Sequence, residues 1–347
     1  MLTFAGKISL IIMYKGFITP VEIPRSEVEI THETSILLMG SCFAENIGAR
    51  LSENKFTCDI NPFGILYNPM SIAEALRQIL DGRVYDENSP ELIEHQGQWH
   101  SLMHHGSFSN ESKKVCVEII NERLRKGGEV IRKSRVVLIT FGTSYVYEYR
   151  SEGESFVVGN CHKLPERTFM RRRLDVEEIV EDYQSLIGRI AEINPNVHFI
   201  FTVSPIRHQR DGLHANQLSK SILLLSIDKL CQLMPDRCTY FPAYEIMMDE
   251  LRDYRFYADD MMHPSPLAIE HIWKRFTDIF FPLPTKKFLQ TWEEIRQALA
   301  HRPFRPDSEQ YKQFLSQIEL RIHRLKEKYP NFDAENELQL CRTRLNK

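Results

Sequence analysis

The sequence predicts an α/β fold, a three-layer doubly wound parallel sheet that carries a helical appendage at its C-terminal end. Two observations support this prediction. Short apolar runs of strand length alternate with segments of helical spacing between residues 35 and 242, which is the pattern of βαβ units in a parallel sheet. Beyond Pro284 the chain is highly charged, and its apolar residues keep helical spacing.

The first unit contains the most distinctive turn of the chain. Residues 35–39 form a compact apolar run that ends at Gly40 and indicates a buried strand. Apolar residues then recur every four positions through residues 43–51, as on one face of a helix. Residues 40–42 are therefore predicted to form the turn from the strand into the helix.

Two more units follow along the chain. Residues 136–141 and 197–203 are apolar runs that indicate buried strands, and each ends in a polar turn. Helical spacing over residues 176–190 and 218–233 indicates the helices between and after them, and residues 239–242 fit the start of a short last strand. The functional crevice of such a sheet lies at the carboxyl ends of its strands, so these turns are candidate site positions.

The other segments have weaker patterns. Residues 82–127 are less regular and contain several histidines, and we expect them to cap the sheet edge or the site. The helical stripes of residues 285–347 predict an appendage that packs on the core or on a second subunit. The predicted divisions are thus an N-terminal extension over 1–29, a catalytic domain over 30–284 and a C-terminal helical segment over 285–347.

Composition limits the classes of function. The chain has 347 residues, of which 42% are hydrophobic, so it can bury a substantial core. Its 44 basic and 47 acidic residues give a net charge of −3, whereas a duplex nucleic-acid binder needs a concentrated basic face. The apolar run at residues 8–13 is too short for a membrane span and lacks a signal-peptide cleavage site. We therefore expect neither a nucleic-acid nor a membrane partner.

Seven cysteines are scattered along the chain, and no two of them form a C-x-x-C pair. An odd number at these spacings does not fit a disulfide framework or a zinc ribbon, and no H-E-x-x-H or comparable metal-ligand spacing occurs. We expect reduced cysteines, no metal, no cofactor and a cytoplasmic location. The C-terminal helices are the expected contact of a homo-oligomer, if one forms.

The predicted turn after the first strand carries two candidate nucleophiles, Ser41 and Cys42. A nucleophile at such a turn is exposed at the edge of the sheet, and the N–H groups of the helix start can stabilise an oxyanion. Both residues also have ordinary structural roles, because serine commonly caps helices and cysteine is commonly a buried small hydrophobe. The turn alone favours these structural roles.

A second pair of residues, Asp260 and His263, makes a catalytic role of the turn more plausible than the turn alone does. Two residues between an Asp and a His allow the carboxylate to hold the imidazole in one tautomer, which makes the imidazole a general base. The structural alternative is that Asp260 caps the helix that begins near Pro266. The pair is more specific in combination with a nucleophile turn in an α/β chain.

Several ordered blocks of the sequence resemble the GSCFA-domain family, which in turn resembles the GDSL/SGNH hydrolase superfamily. The match spans roughly residues 30–280, and the blocks that carry it are G-S-C-F-A-E-N-I-G at 40–48, N-P-F-G-I-L-Y-N-P at 61–69, T-F-G-T at 140–143, N-C-H-K at 160–163, S-P-I-R-H at 204–208 and Y-R-F-Y-A-D-D-M-M-H-P at 254–264. The resemblance implies an SGNH- or flavodoxin-like doubly wound sheet.

The resemblance also implies a division of roles. In the superfamily a serine of the first block attacks an acyl carbon, a glycine of the second block and an asparagine of the third donate to the oxyanion, and a late Asp and His complete a triad. Gly64 fits the second-block glycine, and Asp260 and His263 fit the last block. The third block lacks its asparagine here, which leaves Ser144 or Asn160 as the substitute donor.

The first block leaves two alternatives open. Aligning the glycines puts Cys42 at the nucleophile position, whereas aligning serine with serine selects Ser41. The chemistry of the superfamily favours Ser41 slightly, although a thiolate beside a histidine is also a competent nucleophile.

A further polar set is expected to bind substrate, with Arg207 suited to a carboxylate or phosphate and the histidines to sugar hydroxyls; its members are His100, His105, Gly142, His162, Arg207 and His208. The predicted function is an SGNH-like esterase, acetylesterase or acyltransferase that uses a Ser (or Cys)-His-Asp mechanism on a small-molecule ester or an O-acylated carbohydrate. The alternative is an inactive SGNH-fold module that binds a glycan or a metabolite.

Overall fold

The computed structural model describes residues 18–151, 154–301, 303–329 and 332–345. The apolar run at 8–13, and with it most of the predicted N-terminal extension, lies outside the described residues. Within these described ranges no helix is both long enough and apolar enough to cross a bilayer.

The described strands are β1 (Ile36–Gly40), β2 (Cys58–Ile60), β3 (Leu92–His95), β4 (Gln98–Ser101), β5 (Val136–Phe141), β6 (Tyr145–Ser151), β7 (Glu154–Val157), β8 (Phe169–Arg173), β9 (His198–Val203) and β10 (Cys238–Tyr240). Five of them form a parallel sheet in the order β10-β9-β5-β1-β2. Counted along the chain, this is the 2-1-3-4-5 order of flavodoxin-like sheets, with its switch point between β1 and β5. The predicted strands of this sheet are confirmed to within two residues at each end.

The longer helices are α1 (Cys42–Glu53), α2 (Pro69–Asp81), α3 (Lys113–Ile131), α4 (Val176–Ile193), α5 (Gly212–Leu233), α6 (Pro266–Phe280), α7 (Leu283–Ala300), α8 (Glu309–Lys328) and α9 (Glu335–Leu345). Alternate residues of β1 point to opposite faces of the sheet. Leu37 and Met39 pack in the core with α2, α3, α4 and α5, whereas Ile36 and Leu38 pack with α1 and α6. The predicted three-layer α/β fold is thus confirmed.

Residues 82–127 differ from the irregular excursion that the sequence predicts. They contain the hairpin β3–β4, and from Lys113 onward they belong to α3, a regular helix of the core layer. Its pattern is obscure in the sequence because charged residues surround a Gly127–Gly128 pair. A Cβ at Gly127 would lie 3.1 Å from Ile79, so this glycine allows α3 to approach α2 closely.

A second, antiparallel sheet of three strands, β7-β6-β8, lies between β5 and α4 in the chain. We call this segment, residues 145–173, the flap. The sequence predicts no strands here. Three residues separate the end of β5 from the start of the flap, so the chain places the flap at the carboxyl edge of the main sheet.

The C-terminal helices α7, α8 and α9 pack around a separate apolar cluster that includes Trp292 and Ile318. They also contact the body of the same chain, because Trp292 Nε1 donates to the carbonyl of Glu53 at 2.9 Å. Lys55 and Glu337 form an ion pair of 2.8 Å across the same boundary. The appendage therefore packs on the core, one of the two arrangements that the sequence predicts.

Candidate functional site

A cleft of about 440 Å³ opens at the carboxyl edge of the main sheet. Its walls come from the turn after β1, the segment before α2, the loop 204–211 after β9, the flap and residues 262–263. A larger hollow of about 730 Å³ lies at the opposite, amino-terminal edge of the sheet, and none of the predicted site residues lines it. The cleft at the carboxyl edge is therefore the candidate functional site, because parallel sheets place their sites at that edge.

Gly40 shapes the turn at the base of the cleft. Its φ of +138° and its contact with β5 require glycine, because a Cβ would lie 2.3 Å from the carbonyl oxygen of Thr140. Its N–H donates to Asn61 Oδ1 at 2.9 Å, which fixes the turn against the loop after β2.

Ser41 and Cys42 both line the cleft, but their side chains differ in role. Ser41 is 1% exposed and caps α1, since its Oγ accepts from the N–H of Phe43 at 3.3 Å. Cys42 is partly exposed, and its Sγ lies 4.0 Å from the hydroxyl of Tyr67. Burial raises the pKa of Tyr67 to about 12, so the phenol stays protonated and can donate to a thiolate. The more accessible nucleophile is thus the thiol.

Asp260 accepts three hydrogen bonds, two of them from His263. One carboxylate oxygen accepts from the N–H groups of Met262 and His263, each at 2.9 Å, and the other contacts His263 Nδ1. These bonds, the backbone ones foremost, lower the pKa of Asp260 to about 2, so the carboxylate is ionised at neutral pH. His263 lines the cleft, and its Nε2 has no hydrogen-bond partner among the described residues. Ser265, rather than Asp260, caps α6.

Asn68 also lines the cleft, and the sequence analysis does not assign it. Its Oδ1 accepts from the N–H of Ser71 at 2.8 Å and thereby caps α2. That bond determines which end of the amide is oxygen, so the Nδ2 end is the one left over. Nδ2 has no partner within the described ranges. The Asn68-Pro69 sequence signals a helix start, and this is the only role of Asn68 that the sequence pattern indicates.

Gly64 and His105, which the sequence analysis assigns to the oxyanion and to substrate, lie outside the cleft lining. The Gly64 N–H donates to the carbonyl of Asn61 at 2.7 Å, so this donor is already used within a turn. A Cβ at Gly64 would lie 2.2 Å from Cβ of His105. The glycine therefore permits close packing between these two loops.

Ser144 and Gly142 support the cleft from beneath. Ser144 is fully buried, and its hydroxyl donates to Ser219 Oγ at 3.1 Å, so it does not replace the absent asparagine of the third block. The carbonyls of Gly142 and Ser204 both accept from the buried Nζ of Lys220, at 2.7 and 2.8 Å. Burial lowers the pKa of Lys220 to about 7. This lysine joins the ends of β5 and β9.

The rings of His100 and His162 lie against each other outside the cleft, with centroids 4.5 Å apart and ring planes tilted by 31°. His162 Nε2 bonds to the carbonyl of Ser101 at 2.8 Å, and burial lowers the pKa of His162. Asn160 does line the cleft, and its Oδ1 accepts from the N–H of His162 at 2.9 Å. The two histidines thus support the loop that presents Asn160, and they do not reach the cleft themselves.

Arg207 and His208 line the cleft from the loop after β9. Burial lowers the pKa of His208 to about 4, so this imidazole is neutral at physiological pH. Arg207 forms no ion pair with any described residue. Nowhere in the described part of the chain do three His, Cys, Asp or Glu side chains converge as a metal site would require.

Two solved structures show low similarity to the chain. One is a family two carbohydrate esterase from Clostridium thermocellum in complex with cellohexaose, at 12% identity and a TM-score of 0.34, with 75% of this chain and 65% of that one covered. The other is an acetyl xylan esterase from the rumen bacterium Butyrivibrio proteoclasticus, at 12% identity and a TM-score of 0.36, with 72% and 64% covered. The chain thus spans somewhat less than two thirds of each structure.

No curated protein matches the sequence. Family models do match it. The model described as the GSCFA family covers residues 35–276, and the model described as the C-terminal domain of GSCFA domain proteins covers residues 292–347. Together with the ordered blocks and the α/β fold, these matches confirm the resemblance seen in the sequence: the chain belongs to the GSCFA family.

Proposed function

We propose that this protein transfers acyl groups from esters, as a hydrolase or acyltransferase, with Cys42 as nucleophile, His263 as base and Asp260 as the group that orients His263. The observation that carries the proposal is the shared cleft. A histidine held by a carboxylate through Nδ1, with Nε2 unbonded, lines the same cleft as an accessible thiol at a helix N-terminus. Ser41 then acts as the helix cap.

The proposed reaction has two half-reactions. His263 Nε2 takes the thiol proton, the sulfur of Cys42 attacks the acyl carbon, and the tetrahedral adduct expels the alcohol oxygen, which receives the proton from His263. This leaves a thioester on Cys42. Water or an acceptor hydroxyl then attacks the thioester, His263 takes its proton, and the regenerated thiolate recovers that proton. Water gives hydrolysis, and a hydroxyl of a second molecule gives transfer.

Two donors fit the oxyanion of this reaction. The backbone N–H of Cys42 is in the first position of α1, where no intrahelical partner exists, and Asn68 Nδ2 is also unbonded among the described groups. Both belong to residues that line the cleft. Asn68 would then supply the amide that the third block lacks.

Three tyrosine rings in the cleft, those of Tyr67, Tyr145 and Tyr147, support a carbohydrate as the substrate. Aromatic rings with a polar tip combine an apolar face with a hydrogen-bonding hydroxyl, which suits the mixed surface of a sugar. We therefore propose an O-acylated sugar as the substrate class.

The test is hydrolysis of p-nitrophenyl acetate, with mass spectrometry of the intact protein to detect a thioester. Cys42→Ala and His263→Ala should each lower kcat by about 10³-fold or more. Ser41→Ala should cost about 1 kcal/mol of stability and keep most of the activity. Cys161→Ala is the matched control, because Cys161 lines the same cleft and has no assigned role.

A different pattern would change the assignment. An active Cys42→Ala variant beside a folded but inactive Ser41→Ala variant would make Ser41 the nucleophile. If the wild type hydrolyses none of a panel of acetylated sugars, the alternative function, a binding module, is favoured. One observation favours that alternative: the superfamily's glycine donor is already used, since the Gly64 N–H bonds to Asn61.

A further inference from the structure

We propose that the substrate of this cleft carries an anionic group, a carboxylate or a phosphate, and that Arg207 binds it. The ester part of this inference rests on the proposed function, whereas the anion site stands on its own geometry. The proposal narrows the substrate class from any acylated sugar to one with an acidic substituent.

The Arg207 side chain has no partner from the described part of the protein. Its Nε is inaccessible to solvent and has no hydrogen-bond partner, and no carboxylate lies within 4 Å of its guanidinium among the described residues. Removing a charged donor from water without a partner costs free energy. A ligand with two acceptor oxygens would satisfy it, because the guanidinium fork matches carboxylate and phosphate geometry.

The two other arginines of the cleft differ from Arg207 in this respect. Arg171 makes two bonds to Asp211, of 2.6 and 2.5 Å, and Arg210 pairs with Glu166. Each of these guanidinium groups therefore has a carboxylate from the protein. Arg207 lines the same cleft without one, so it is the arginine available to a ligand.

The charge of Arg207 is the one that no neighbouring carboxylate of the described residues offsets. The chain as a whole has a net charge of −3, and in the cleft wall Arg171 is offset by Asp211 and Arg210 by Glu166. An uncompensated positive charge in a concave surface attracts anions and raises their local concentration.

Arg207 lies between two cavities. Arg207 also lines an adjoining hollow of about 440 Å³, whose other walls include Met248, Tyr254 and Tyr257. Arg207, Gln209 and Met262 are shared by both cavities. An anion on Arg207 would thus sit at the junction of the two, with the ester in the cleft beside His263 and the rest of the substrate in the adjoining hollow.

The kinetic test uses matched esters that differ in one charge. On the acyl side, p-nitrophenyl hemisuccinate is compared with p-nitrophenyl butyrate. On the alcohol side, 4-acetoxybenzoate and 4-acetoxyphenyl phosphate are compared with methyl 4-acetoxybenzoate. The wild type should favour an anionic ester in kcat/KM by about 10- to 100-fold, the size expected for a charge-assisted bond. The better of the two anionic alcohol esters shows whether the anion is a carboxylate or a phosphate.

Variants assign that preference to one side chain. Arg207→Gln should bring the ratio of anionic to neutral esters close to one, and Arg207→Lys should retain part of it. Arg210→Gln is the matched control and should keep the ratio, because Arg210 is committed to Glu166. Thermal unfolding of each variant checks that it is folded.

Calorimetric titration with inorganic phosphate and with succinate gives a readout that needs no turnover. If the wild type binds one of these anions and Arg207→Gln does not, the anion site is supported. This holds even if no ester is hydrolysed, and in that case only the proposed function fails. Ester hydrolysis without any charge preference, together with no anion binding, overturns the inference and leaves the proposed function intact. Preference or binding that survives in Arg207→Gln overturns it as well.

Discussion

The two ends of the Asn68 amide have different surroundings, and we propose a different role for each. The oxygen caps α2 through Ser71, which holds the side chain in one orientation, and the nitrogen is left to the cleft. A donor fixed in this way needs no reorganisation when charge develops on a substrate oxygen, and this preorganisation is the main source of oxyanion stabilisation.

Replacement of Asn68 by Asp separates the helix cap from the proposed oxyanion donor. The carboxylate can still accept from Ser71, so the cap and the unfolding temperature should be preserved, but the NH₂ donor is lost and a negative charge faces the oxyanion. We expect kcat for acetyl esters to fall by about 10²–10³-fold with a smaller change in KM. Steady-state kinetics beside thermal unfolding measure both.

The reciprocal exchange Asp175→Asn is the control. Asp175 caps α4, because its Oδ1 accepts from the backbone N–H of Glu178 at 2.8 Å, and it does not line the cleft. This variant should resemble the wild type in both measurements. A folded Asn68→Asp enzyme within about threefold of wild-type kcat would exclude Asn68 as the donor.

Among the elements, the flap forms one wall of the cleft. Its strands carry Tyr145, Tyr147 and Arg171 to the cleft wall, and the Arg171–Asp211 pair ties it to the residue that precedes α5. Both side chains of this pair are partly buried, at 27% and 17% exposed, and Arg171 also lies over the ring of Tyr145 at 4.0 Å. A bidentate, partly buried pair is a stronger tether than a single exposed contact.

Asp211→Asn should loosen the flap. We expect faster hydrogen–deuterium exchange of backbone amides in residues 145–151 and 169–173, and a higher KM for ester substrates because the cleft wall is less ordered. The control is Glu166→Gln, which breaks the exposed pair with Arg210. Exposed pairs contribute about 0–1 kcal/mol, so exchange there should change little. Equal exchange in both variants would show that Arg171–Asp211 does not order the flap.

Across the whole molecule, the C-terminal helices are joined to the α/β body by burial as well as by polar contacts. The ring of His32 lies between Phe56 of the body and Phe288 of α7, with centroids 4.1 and 3.9 Å away. Burial lowers the pKa of His32, which keeps the ring neutral in this apolar contact. Trp292 adds a buried indole to the same boundary.

Trp292→Ala should therefore destabilise the full-length protein. The side chain is 0% exposed, and removal of a buried aromatic ring costs about 3–5 kcal/mol, to which the lost bond to Glu53 adds. Urea unfolding followed by circular dichroism measures the change. Leu283→Ala is the control on α7, because Leu283 is 64% exposed and should change stability by no more than about 0.5 kcal/mol. A loss below about 1 kcal/mol for Trp292→Ala would mean that this boundary contributes little.

The sequence by itself determined the layers of the fold, four of the five strands of the main sheet and the Asp260–His263 pair. Strands and helices follow from apolar periodicity, which records the burial of each element separately. Asp260 and His263 meet because three positions in one loop keep them within reach, so their contact needs no distant packing. The resemblance to the GSCFA family could also be seen in the sequence, because each block that carries it consists of adjacent residues.

Tertiary structure alone decided which side chains converge on the cleft. Tyr67 and Cys42 lie 25 residues apart in the chain, and they meet only because the sheet places the ends of its strands at one edge. Packing also directed His100, His105 and His162 away from the cleft and used the Gly64 N–H within a turn. Periodicity reports whether a residue is buried, whereas convergence depends on how separate elements pack, and that information is absent from any single segment.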